Sequence, residues 1–307
     1  MYSTRYNPAK DIPDLSGKVI VVTGGNSGLG KESIHQLVKH NPAKVYLGAR
    51  SSQRGNAAIE EIVADVPSAK GKIHYLEVDM ASLASVKRAA DRILNENDRL
   101  DILMNNAGLA NAPAGLSTDG YEIQFGTNYM GPTLFTKLLL PLLQKTAEEP
   151  NSDVRIINLS SELFKQAPSQ GIIFTDLSTP MTKINSVARY GQSKLANYFY
   201  SKICAEKYPN IKSVALHPGV VNTGIWEHIY KRPYYGWMLS AVMTPFLTNV
   251  HDGAKMQLWS ATAKKGVKNG AFYTPKGTEY TQAILKNDKL ANELWQWTGK
   301  EFAKHGF

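Results

Sequence analysis

A second cysteine is the first thing this sequence lacks. Among 307 residues only Cys204 carries a thiol, so an intramolecular disulfide is excluded and a reducing, cytoplasmic setting is expected. Cys204 falls within a helical pattern with no His or second Cys beside it; it reads as a packing residue, and no metal site is expected. Long apolar runs are missing too. No stretch approaches the roughly 20 apolar residues of a membrane-spanning helix, and Met1 to Pro13 is polar, broken by Pro8 and Pro13, without the apolar run of a signal peptide or anchor. A soluble chain without a transmembrane anchor is expected. Nor is there a block of five like charges, although the net charge is +9. From His251 to Phe307 nine lysines stand against five acidic residues, spread as a solvated helix surface carries them, and no nucleic-acid recognition module is visible. No nucleic-acid partner is therefore expected.

What is present suits a globular protein with a sizeable core: 43% of residues are hydrophobic and 20% charged. Short, β-branched apolar runs recur at Lys18 to Thr23, Lys44 to Ala49, Lys72 to Val78, Leu100 to Asn105, Val154 to Leu159 and Lys212 to His217, with a last one at Gly270 to Thr274. Between them apolar residues repeat at helical spacing, as in Ile34, Leu37 and Val38, or Val86, Ala89, Ala90 and Ile93. Alternating strand and helix predicts an α/β fold, a Rossmann-type doubly wound parallel sheet with helices on both faces. No linker divides the chain, so one domain is expected over 1–307, with residues 1–15 and 276–307 as terminal extensions.

The first strand runs into Thr23-Gly24-Gly25-Asn26-Ser27-Gly28-Leu29-Gly30, followed by a helical stretch. Glycines there allow a sharp turn and a close backbone approach to a pyrophosphate, whose charge the helix N-terminal amides then hold. A bare Gly-rich turn serves many tight connections; its place between the first strand and a helix makes it a dinucleotide signal. Sites for NAD carry an Asp or Glu at the end of the second strand to accept from the ribose 2′-hydroxyl. This chain has Ala49-Arg50-Ser51 there. A guanidinium binds a 2′-phosphate that a carboxylate would repel, so NADP(H) is the expected cofactor, against the alternative of Arg50 as a plain surface charge.

Tyr190 and Lys194 lie four apart at the start of a helical stretch, a rise of about 6 Å on one helix face. A nearby ammonium would lower a phenol from its ordinary value near 10 toward neutrality, where acid–base catalysis is efficient. Ser160-Ser161 end one strand and Asn105-Asn106-Ala107-Gly108 another, and ligands of parallel sheets bind beyond the strands' C-terminal ends.

Taken together, these elements resemble the short-chain dehydrogenase/reductase family. TGGNSGLG, NNAG, Tyr-x-x-x-Lys and His217-Pro218-Gly219 follow the family's order over roughly residues 16 to 275. The similarity is closest to the retinol-dehydrogenase-like and WW-domain-oxidoreductase-like branch, through Asn197-Tyr198, Phe125-Gly126-Thr127-Asn128 and His217 to Thr223. The resemblance implies that Tyr190 exchanges the proton, Lys194 lowers its pKa and binds the nicotinamide ribose, Ser161 orients the carbonyl oxygen, and Asn128 holds the water of a proton relay. It assigns Gly24, Asn26, Ser27, Gly28, Leu29 and Gly30 to the cofactor turn and Asp79 with Met80 to the adenine edge. Asn106 and Gly108 go to the adenosine side, and Pro218, Gly219, Val221 and Thr223 to the carboxamide and phosphate side. Asp79 has the alternative of a helix cap near Ser82, and Asn128 that of an interior polar group.

Ser161 precedes Tyr190 by 29 positions, longer than the family's usual interval, so Glu162 to Arg189 is expected to wall the substrate site. The aromatic, Pro-punctuated segment 225–250 reads as a lid over an apolar or aromatic carbonyl or alcohol substrate, or as plain packing. Helix Met130 to Leu143 is a candidate for the family's four-helix dimer contact, so a homodimer is possible on this reading. Three other functions stay open to the sequence: a catalytically silent dinucleotide-binding regulator or scaffold, a nucleotide-sugar epimerase and, more remotely, a light-driven reductase of the same superfamily. Four intact catalytic residues argue against the first, and the glycine spacing with no large C-terminal substrate domain argues against the second.

Overall fold

The computed structural model describes residues 6–219, 248–275 and 277–307. Seven strands form one parallel sheet: β1 (Val19–Thr23), β2 (Lys44–Ala49), β3 (Ile73–Glu77), β4 (Ile102–Asn105), β5 (Val154–Leu159), β6 (Ile211–Leu216) and β7 (Phe272–Tyr273). Their spatial order is β3-β2-β1-β4-β5-β6-β7. The expected α/β fold is the one observed. The chain leaves β1 toward β2 and β3, then returns to the other side of β1 with β4, and this reversal opens a crevice at the C-terminal ends of β1 and β4.

Residue alternation along each strand explains why the strands read as continuous apolar runs. Val19 and Val21 of β1 belong to one core, with Leu103, Phe135 and Phe199, while Ile20 and Val22 belong to the other, with Ile34, Ile62 and Trp259. Both faces are covered, so apolar residues dominate them and the polar exceptions are bonded, as Asn105 is to Thr136 and Asn158, and Arg155 to Asp153. The first core lies under helices α4 (Leu83–Glu96), α6 (Gly131–Ala147) and α7 (Ser186–Lys207). The second lies under α2 (Gly28–Val38), α3 (Ser52–Asp65) and α8 (Val250–Thr262). A short α1 (Pro8–Asp11) precedes the sheet, α5 (Ile123–Phe125) precedes α6, and α9 (Asp288–Lys304) closes the chain.

Neither terminal extension is a loose decoration. Tyr6, Ile12 and Leu15 are buried, and the Tyr6 hydroxyl meets Thr262 Oγ1 at 2.5 Å. Helix α9 buries Leu290, Ala291, Leu294 and Phe302 at helical spacing, each large side chain stabilising by about 1.5–3 kcal/mol. Its Trp295 stacks on Tyr200 of α7 (ring centroids 5.7 Å, planes 17° apart), Thr298 meets the Tyr129 hydroxyl at 2.8 Å, and Phe302 lies under the Lys137 ammonium of α6. Thus α9 packs on α7 and on α6, the helix that the sequence reading offered as a dimer contact.

The proposed wall, residues 162–189, is ordered by its own apolar side chains. Phe164, Ile172, Leu177 and Met181 are buried in the first core. Gly191 admits this segment to α7: a Cβ there would stand 2.6 Å from the Leu163 carbonyl oxygen and 2.8 Å from the Ala167 nitrogen.

Candidate active site

The glycine turn has the backbone its sequence calls for. Gly24 and Gly28 have φ of +66° and +52°, in the left-handed region. Gly30 is needed for a different reason. A Cβ there would lie 2.3 Å from the Gly24 carbonyl oxygen, so only glycine lets α2 start this close to the turn. Ser27 stands at the N-cap of α2 without a side-chain cap bond, and no acidic residue sits in the first turn. The helix end thus turns uncapped amides and an unopposed positive dipole outward, which fits the phosphates of a dinucleotide. Asn26 is half-buried and Ser27 exposed, whereas the Leu29 side chain is buried in the core and its carbonyl accepts from Gln257 Nε2 at 3.1 Å.

Thr23, which sequence reasoning passed over, ties this turn to the end of β4. Its hydroxyl accepts from the Asn106 and Ala107 amides at 3.1 and 3.0 Å, while Asn106 Nδ2 donates to the Thr23 carbonyl at 2.8 Å. The amide nitrogen of Asn106 is therefore committed to the protein backbone. Gly108 threads between two other site residues: a Cβ there would lie 3.0 Å from Asn128 Oδ1 and 3.5 Å from Lys194 Nζ.

Arg50, at the end of β2, is exposed and has no ion-pair partner among the described residues. Ser51 beside it caps α3, accepting from the Arg54 amide. Asp79 is half-buried, and its carboxylate closes a turn on the Ala81 amide at 3.0 Å; the cap of α4 is Ser82. Met80 sends its side chain into the core, and its carbonyl packs on Gly131, where a Cβ would lie 2.2 Å away. After β6, Pro218 is half-buried and Gly219 has φ of +96°. Val221, Thr223 and nearly all of the candidate lid lie outside the described residues.

Tyr190, Lys194, Ser161 and Asn128 converge at the C-terminal edge of β4 and β5. Lys194 is buried, its ammonium donating to the Leu159 carbonyl at 2.9 Å and lying 5.4 Å from the centre of the Tyr190 ring. Asn197 donates to the same carbonyl at 3.0 Å. Ser161 is the polar neighbour that lowers the Tyr190 phenol and accepts the Leu163 amide, while Ser160 turns away to donate to the Lys194 carbonyl at 2.6 Å. The preference for Ser161 over Ser160 thus has a geometric basis.

Asn128 sits in a π-helical turn, Gly126–Met130, between α5 and α6. Its Oδ1 accepts the Leu109 amide at 2.8 Å, and its Nδ2 donates to the Leu109 carbonyl at 2.9 Å and to Ser193 Oγ at 3.0 Å. Ser193 in turn donates to the Tyr190 carbonyl at 2.7 Å. It is a second link that sequence reasoning missed, although its place three residues after Tyr190 puts it on the same helix face.

The electrostatics differ from the sequence expectation. Burial pushes the Tyr190 phenol up to about 12, opposed only by its hydrogen bond to Ser161. Burial likewise lowers the Lys194 ammonium to about 7. The lysine lies over the ring and bonds a backbone carbonyl, so its charge does not offset the loss of solvation at the phenol oxygen. Part of Tyr190 stays accessible to solvent. Burial also drops His217, at the end of β6, to about 4.

The model of the short chain dehydrogenase family matches residues 18–233. The chain belongs to that family. An uncharacterized oxidoreductase of Schizosaccharomyces pombe is 39% identical, the match covering 95% of this chain and 87% of the relative. Retinol dehydrogenase 12 of Mus musculus is 32% identical, with 92% and 85% covered. This short-chain dehydrogenase thus falls in the retinol-dehydrogenase-like branch. A crystal structure of an uncharacterized protein from Mycobacterium paratuberculosis superposes with a TM-score of 0.73 at 25% identity, covering 95% of this chain and 96% of that one. The NADPH-bound carbonyl reductase from chicken fatty liver shares the fold, with a TM-score of 0.63 at 24% identity over 87% of this chain and 100% of that one. As a member of this family the chain is an oxidoreductase that binds a nicotinamide dinucleotide and acts on a small molecule. No helix among the described residues is long and apolar enough to cross a membrane.

Proposed function

We propose that the protein is an NADP(H)-dependent reductase of apolar or aromatic ketones and aldehydes, with Tyr190 as the proton donor. The observation that carries this reading is the convergence of Ser161, Tyr190, Lys194 and Asn128 at the sheet edge beside the glycine turn, with the Lys194 ammonium 5.4 Å from the centre of the Tyr190 ring and Asn128 tied through Ser193 to the Tyr190 carbonyl. The dinucleotide supplies the hydride when bound. Residues Gly24, Asn26, Ser27, Gly28, Leu29 and Gly30 present backbone amides to its pyrophosphate, Asp79 and Met80 border the adenine, and Asn106 and Gly108 shape the crevice beside it. Pro218 and Gly219 border the nicotinamide side, to which the family's motif also assigns Val221 and Thr223. Arg50, exposed and without an ion-pair partner among the described residues, selects the 2′-phosphate; the solved carbonyl reductase bound to NADPH has the same fold.

A phenol pushed up by burial keeps its proton at neutral pH, the form that a donor to the oxygen of a carbonyl being reduced needs, although it is a weaker acid than one poised near neutrality. Ser161 orients that oxygen beside Tyr190 Oη. Lys194, anchored on the Leu159 carbonyl, holds its ammonium beside the ring and next to Gly108, where it can return the proton to the phenol with Asn128 as its neighbour. Residues 162–189 wall the substrate.

A screen of NADPH oxidation against aromatic and aliphatic carbonyls, with Tyr190→Phe as control, tests the reading. The variant should lose about 10²–10⁴-fold in kcat. Parent-like turnover by Tyr190→Phe would sink the mechanism. The reducing cytoplasm suggested by the single thiol belongs to the same proposal; because a 33% identical Neurospora crassa oxidoreductase is labelled mitochondrial, fractionation of the native protein is the measurement that decides.

A further inference from the structure

Arg189 and Glu122 form an ion pair buried from water, Nη1 to Oε1 at 2.5 Å, with side chains 3% and 0% exposed. Taking two charges out of water costs several kcal/mol each, and an apolar pair of similar volume is often as stable. Stability alone therefore gives no reason for this pair. Its bonds do. Each nitrogen of the Arg189 guanidinium goes to a different stretch of chain: Nη1 to Glu122, Nη2 to the Ala112 carbonyl at 2.9 Å, and Nε to the Ile184 carbonyl at 3.2 Å. Ser186 Oγ also donates to the Ala112 carbonyl, at 3.0 Å. Glu122 uses its other oxygen to accept the Phe125 amide at 2.7 Å, capping the turn that leads to Asn128, and its own amide donates to the Leu177 carbonyl at 2.7 Å.

The pair thus joins the loop following Gly108, the turn that leads to Asn128, the wall at Leu177 and Ile184, and the start of α7 that carries Tyr190. Arg189 is the residue immediately before Tyr190. We propose that Arg189 and Glu122 are positioning residues of the carbonyl reaction. They lock the loop 107–116 against the N-terminus of α7, and so fix the side of the pocket that a carbonyl meets as it approaches Tyr190. This inference rests on the reading of the site given above.

A planar fork is needed for three divergent bonds, and a lysine offers only a point charge. Arg189→Lys therefore keeps the charge facing Glu122 but loses the bonds to Ala112 and Ile184. With 4-nitrobenzaldehyde as the carbonyl probe, kcat/KM should fall about tenfold to a hundredfold, the loss expected for one or two charge-assisted hydrogen bonds, while NADPH affinity stays within about twofold. Hydrogen exchange on the full chain with NADPH should quicken at 107–116 and leave the β1 and β5 amides unchanged. A merely structural pair would speed exchange across the chain and leave the carbonyl KM unmoved. Parent-like exchange at 107–116, or exchange raised evenly, overturns the proposal whatever the activity. Parent-like kcat and KM on a carbonyl that the enzyme reduces overturns it as well. Tyr190→Phe, run alongside, separates the two ideas: a fully active Phe variant removes the reading of the site, and the exchange result then judges the positioning role alone.

Discussion

The two ends of the site are held in opposite ways. At the glycine turn the protein leaves space: Gly24, Gly28 and Gly30 omit side chains, Ser27 leaves the helix amides uncapped, and Arg50 has no ion-pair partner among the described residues. At Tyr190 it fills space with mutually bonded side chains, from Asn128 through Ser193 to the Tyr190 backbone and from Lys194 to Leu159. One end is prepared by subtraction, for a partner that brings its own charge. The other is a closed polar network, in which one deletion strands several buried groups.

The difference can be broken from either side. The largest effect is expected from Tyr190→Phe, with its loss in kcat of about 10²–10⁴-fold and unchanged dinucleotide affinity. Gly30→Ala should do the reverse. Its Cβ overlaps the Gly24 carbonyl, so NADPH binding measured by fluorescence should weaken by about tenfold to a hundredfold, with destabilisation of about 1–3 kcal/mol in a melting experiment. Equal effects on binding and turnover from both variants would erase the contrast. Arg50→Ala should lower NADPH affinity by about tenfold or more and leave NADH nearly unaffected; a parallel loss for both would remove Arg50 from the 2′-phosphate.

A smaller effect lies in pH. His217 has a folded value of about 4, below its ordinary 6.5. The unfolded chain therefore binds more protons between these values, so stability rises with pH from about 4 to 6.5 and falls as pH drops through that window. His217→Gln should flatten this part of the urea-midpoint profile, and an unchanged slope would assign the acid sensitivity elsewhere. Lys194 acts higher up. Its folded value of about 7 against 10.5 makes stability rise with pH across that interval, a slope that Lys194→Met should remove.

Much of this architecture could be read before any coordinates, because its signals are local. Six of the seven strands are short apolar runs buried on both faces, and the turn after β1 needs glycine for steric reasons that hold within eight residues. Tyr190 and Lys194 share a helix face by spacing alone. What escaped was set by distant contacts. Thr23 looks like a strand-end residue until Asn106 is folded onto it, and Arg189 looks like the last residue of an insertion until Glu122 meets it. The expected fall in the Tyr190 pKa also failed, because spacing fixes how near a lysine is but not how dry the phenol becomes. Likewise residues 276–307 read only as a terminal extension, because nothing local says which helices α9 covers.

That last helix changes how the molecule should behave on dilution. Trp297 lies edge-on to Phe125 and Tyr121, and Thr298 bonds Tyr129, so the turn bearing Asn128 is buttressed by the chain's own tail. Each copy brings its own support for the catalytic turn. Specific activity should accordingly hold constant from micromolar down to nanomolar enzyme.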